Sequence, residues 1–90
     1  MSRAVPAWWP PKVGSTLRHD THHSAGAGRI KRVEALLHVL AVFVDKDGAK
    51  RIVTAEWFPA KRQWSYAVEA ASAAVSGRIW PDGTKRPATP

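Results

Sequence analysis

Asp45-Lys46-Asp47-Gly48-Ala49-Lys50-Arg51-Ile52-Val53-Thr54-Ala55-Glu56-Trp57-Phe58-Pro59-Ala60-Lys61-Arg62-Gln63-Trp64-Ser65-Tyr66 reads as one strand between two turns. Asp45-Lys46-Asp47-Gly48 carries the Asp-Gly signal of a tight hairpin. The next nine residues alternate, with Arg51, Val53, Ala55 and Trp57 on one face and Ile52, Thr54, Glu56 and Phe58 on the other. Pro59 lacks an N–H for a ladder and ends the strand. Lys61 and Arg62 then sit in a solvated connection, and Trp64, Tyr66 and Val68 share one face of a further strand over 63–69. Upstream, Val39 to Val44 has the β-branched and aromatic density of a strand, placed at 37–45. These three strands form an antiparallel meander.

Working outward, 12–19 reads as a first strand with Val13 and Leu17 on one face. Residues 20–28 read as a polar, glycine-containing loop; it lacks the sequence of a phosphate-cradling turn. Ile30, Val33, Leu36, Leu37 and Leu40 have helical spacing, so 29–35 fits a short strand or one helical turn. The alanines of 67–76 favour a helix over about 70–76, with Gly77 as its C′ residue. Arg78-Ile79-Trp80-Pro81 reads as a short last strand. The expected core is Val13, Leu17, Leu37, Val39, Ala41, Phe43, Val53, Ala55, Trp57, Trp64, Tyr66, Val68, Val75 and Ile79. The domain spans 12–81. Before it, 1–11 form an extended arm rich in proline and tryptophan, whose rings dock on the body. After it, 82–90 are expected to form a disordered polar tail.

A strand, a long loop, a three-stranded meander, a short helical turn and a short final strand resemble an SH3-like small β-barrel of the KOW and Tudor type. Val13-Gly14, 37–45, 50–58, 63–69 and 78–80 carry the likeness, which covers about 12–81 and includes no diagnostic motif. It implies a mainly β barrel; such folds host many functions, so it assigns none. The competing arrangement is α+β, with helices near 30–42 and 65–76.

Fourteen Lys and Arg against seven Asp and Glu give a net charge of +7, and five of 90 residues are tryptophan. An excess of this kind attracts polyanions, nucleic acid first among them. The functional reading is a non-catalytic binding module for nucleic acid or an acidic protein, with Arg29, Lys31, Arg32, Lys50, Arg51, Lys61 and Arg62 contacting phosphate. Phe58, Trp8 and Trp9 are the aromatic contact candidates, while Trp57, Trp64 and Trp80 are expected to be core rings. The alternative is an SH3-like protein-interaction module that self-associates through Trp8-Trp9-Pro10-Pro11, giving a monomer or a weak homodimer.

Other chemistry is thinly represented. There is no cysteine for a thiolate or a disulfide. His19, Asp20, His22 and His23 are metal-ligand types, but four in one loop seldom converge on an ion, so no metal site and no cofactor is expected. No Ser-His-Asp order or paired-carboxylate spacing indicates an enzyme. The N-terminus has no apolar signal region, and the longest apolar run, 39–44, is far short of the roughly 20 residues that span a bilayer. A cytoplasmic protein without membrane contact is expected.

Overall fold

A computed structural model describes residues 4–84, with the side chains of 21–26 and 29–33 left outside the description. The fold is mainly β. Strands β1 (Thr16–Gly26), β2 (Arg29–Val44), β3 (Lys50–Phe58) and β4 (Gln63–Ala70) are followed by the short helix α1 (Ala71–Val75) and strand β5 (Ile79–Pro81). All pairings are antiparallel, in one sheet of order β4-β3-β2-β1-β5. No helix among the described residues is long and apolar enough to cross a membrane.

Each connection follows from local chemistry. Asp45 organises the β2–β3 turn through its side chain. Its Oδ1 accepts from the N–H groups of Asp47 and Ala49, its Oδ2 accepts from Arg51 Nε at 2.6 Å, and Gly48 supplies the left-handed step at φ 82°. At the β3–β4 turn, the Lys61 and Arg62 amides bond back to the Phe58 and Pro59 carbonyls. Helix α1 ends in a Schellman motif: Gly77, at φ 77°, donates to Ala74 O, and Arg78 donates to Ala73 O.

Two expectations are corrected, and the alternatives left open at 29–35 are decided. The polar segment 20–28 is not a long loop: β1 runs to Gly26, and only Ala27 and Gly28 turn the chain. Both have positive φ, 51° and 76°, the pattern of a two-residue hairpin turn whose twist matches the flanking strands. Residues 29–35 are accordingly strand, and no helix forms over 30–42 or from 65 to 70.

The second correction concerns which face is buried. Leu17, Leu37, Val39, Ile52, Ala73, Ala74 and Ile79 form the core, with Trp8, Trp9 and Val42 packed against it. The alternation in β3 is as read from the sequence, but Ile52, Thr54 and Glu56 face inward. Trp57, Trp64, Tyr66, Val68 and Phe43 are exposed, and so is Val13. In β2 a bulge causes part of this. Val39 pairs with Thr54 but Ala41 with Val53, so Leu40 is an extra residue and the strand changes parity there. Val42 thus turns inward opposite Ile52, and Phe43 turns outward opposite Arg51.

At the termini, Trp8 and Trp9 are half-buried and meet edge to face at 6.0 Å. Asp82, expected in the tail, is tied to the body. It accepts from Arg18 Nε at 2.8 Å, and its N–H donates to Thr16 O. The rest of the expected tail, 85–90, lies outside the described residues.

Candidate nucleic-acid interface on the outer sheet face

The sheet face turned away from the core carries Trp57, Trp64 and Tyr66. Trp57 pairs with Trp64, and Ala55 lies between His38 on β2 and Tyr66 on β4. Alanine is the small member of that row, so the large side chains close over it: Ala55 is 3% exposed, while Trp57, Trp64 and Tyr66 are 43%, 46% and 64% exposed. The Trp64 ring contacts Trp57 at 5.4 Å between centroids and His38 at 5.6 Å, both edge to face. His38, Leu40, Ala55, Trp64 and Tyr66 line an open cleft of about 300 Å³. Leu40 shares the parity of His38 and so faces the same side, and the bulge reverses the parity only of the residues that follow it.

Charge surrounds one end of this face. The Trp57–Trp64 pair is one step from Phe58–Gln63, the last pair before the turn that exposes Lys61 and Arg62. Among the described residues, no carboxylate pairs with either cation. The register also places the backbone of 29–32 at this end of the sheet, because β2 runs antiparallel to β3 and Arg29 lies far beyond the His38–Ala55 pair. Glu34 is exposed on the same stretch of β2, so the end is not purely cationic.

The predicted site therefore divides. Lys61 and Arg62 stand beside the aromatic face. Arg29, Lys31 and Arg32 share that end by backbone position, and their side chains lie outside the description. Lys50 and Arg51 are at the opposite end, and Arg51 is held by Asp45. They do not join the same surface. Arg51 holds the Asp45 carboxyl below the usual carboxylate range, chiefly through their hydrogen bond. Phe58, expected to be free for a partner, is half-buried, and Trp8 and Trp9 pack on the core. Sequence reasoning placed His38 as a surface or half-buried strand residue, as found, but missed Leu40, Trp57, Trp64 and Tyr66 as surface residues of this site. The shared parity of Trp57, Trp64 and Tyr66 was visible, but parity alone does not tell which face is wet.

His19 faces inward, where its Nε2 lies 2.6 Å from Glu56 Oε1. The side chains of His22 and His23 lie outside the description, and among the described residues no three His, Asp or Glu gather as metal ligands.

No family model matches the chain, and neither does any curated protein or solved structure.

Proposed function

We propose that this protein is a non-catalytic module that binds single-stranded nucleic acid on the outer face of its sheet. One observation carries the reading: Trp57, Trp64, Tyr66 and His38 are held together on the solvent side, next to Lys61 and Arg62, which no described carboxylate neutralises. The core lies on the other face, so packing of the interior does not account for these rings. Contiguous exposed apolar surface marks interaction sites. Bases stack on such rings at about 1–3 kcal/mol each, and neighbouring cations take the phosphates. A net charge of +7 adds long-range attraction. The proposed architecture is an SH3-like small barrel. Its support is the strand order, with β1 between the meander and β5, and a helical turn between β4 and β5.

The test is a fluorescence-anisotropy titration of labelled single-stranded DNA and RNA at two salt concentrations. Binding should weaken with salt at a log–log slope of about −0.7 per phosphate neutralised. Substituting Trp64→Ala and Tyr66→Ala together should weaken it at least tenfold. Absence of binding at low salt, or binding indifferent to that substitution, rules the reading out.

A further inference from the structure

Among the described residues, strand β4 is bonded on one side only, to β3, and presents a row of backbone N–H and C=O groups at the sheet edge. Such edges pair with other strands unless they are blunted by Pro, Lys, a bulge or a cover. Within Gln63–Ala70 there is no Pro or Lys, and the register with β3 runs without a shift. Residues 63 to 68 are all exposed, on both faces of the sheet. The opposite edge, β5, is blunted: it has three residues and ends at Pro81, which has no N–H.

The sequence of the edge indicates its occupant. Trp64-Ser65-Tyr66-Ala67-Val68 alternates large and small about Tyr66. In an antiparallel pair of two copies centred on Tyr66, Trp64 faces Val68 of the second copy, Tyr66 faces Tyr66 and Ser65 faces Ala67. This is the one centring that opposes all three large residues to one another. The only charge inside the strand, Glu69, is already paired with Arg78 of its own chain and falls opposite the neutral Gln63 of the second copy, so no like charges meet across the pair. We infer that β4 is a homodimerisation edge, pairing antiparallel with β4 of a second copy about a dyad at Tyr66. The two sheets join in plane, and the outer faces run into one aromatic surface.

The absence of native cysteine makes a direct test available. Facing Cα atoms in an antiparallel pair lie about 4.5–5.5 Å apart, inside the range a disulfide spans. Under mild oxidation Tyr66→Cys should form a disulfide-linked dimer. Trp57→Cys, on the same face but one strand inward, should stay monomeric. Sedimentation equilibrium of the unmodified chain should show monomer and dimer in exchange, and Tyr66→Lys should weaken the dimer at least tenfold. Val68→Lys, at a flanking position, should do the same. The inference is overturned by a chain that stays monomeric at about 100 µM, where a dimer of micromolar affinity would be well populated. It is also overturned if Tyr66→Lys and Val68→Lys dimerise like the parent, or if Trp57→Cys cross-links as fast as Tyr66→Cys. Nucleic-acid binding by a strictly monomeric chain would leave the proposed function standing and remove the dimer.

Discussion

The indoles of Trp57 and Trp64 meet edge to face, 5.4 Å and 62° apart, on the side of the sheet away from the core. They are cross-strand partners next to the β3–β4 turn, so their contact fixes the register where the strand pair opens to solvent. An aromatic pair of this kind contributes about 0.5–1.5 kcal/mol beyond its buried area.

That contribution sets the expected cost of removing a ring. Trp64→Ala should lower stability by about 1 kcal/mol, the size of one aromatic pair. Ile52→Ala, on the buried face at 0% exposure, should cost about 2–5 kcal/mol through the cavity it leaves. Urea denaturation of the two variants gives the order directly. A larger loss for Trp64→Ala would place the core on the wrong face.

Beneath the sheet, His19 and Glu56 join β1 to β3 across β2, with their side chains 13% and 10% exposed. Glu56→Ala removes the carboxylate and leaves a nearly buried imidazole nitrogen without it. The expected loss is about 1–3 kcal/mol. A double-mutant cycle with His19→Ala should show coupling, because the two groups share one hydrogen bond.

Acid should loosen two fastenings. Asp82 is held below the ordinary carboxylate range, first by its hydrogen bond to Arg18, and Asp45 likewise by Arg51. Both folded-state values are depressed relative to the unfolded chain. Their stabilising effect is therefore complete above the unfolded carboxylate value of about 3.9 and lost as pH falls below it. Thermal melting between pH 5 and pH 2, both taken as approximate limits of that titration, should show Asp82→Asn less acid-sensitive than the parent.

Backbone strain can be probed at two turns. Gly48 adopts φ 82° with open space where a Cβ would go, so Gly48→Ala should cost about 1 kcal/mol from conformation alone. Ala27 holds φ 51° ahead of Gly28, and Ala27→Asn should stabilise the β1–β2 hairpin, because Asn accepts this region more readily. Melting temperatures of both variants check the opposite signs.

The two basic ends should behave differently. Lys61→Ala with Arg62→Ala should flatten the salt dependence of nucleic-acid binding by about 0.7 for each phosphate no longer neutralised. Arg51→Ala should leave that slope unchanged, because Arg51 lies at the far end against Asp45.

The local signals that determined the β architecture were the Asp-Gly turn at 47–48, the alternation of Lys50–Phe58, the stop at Pro59 and the helix end at Gly77. Each acts over a few residues, through backbone stereochemistry or period, and so is legible without a fold. Alternation also showed that Trp57 and Ala55 share a face, but it is symmetric between inside and outside. Only tertiary packing broke that symmetry. Helix α1, β5 and the Trp8-Trp9 arm cover the Ile52 side, leaving the tryptophans of the meander to solvent. The bulge at Leu40 was hidden for the same reason. An extra residue is defined by the partner strand it fails to match, and that partner is chosen by the fold.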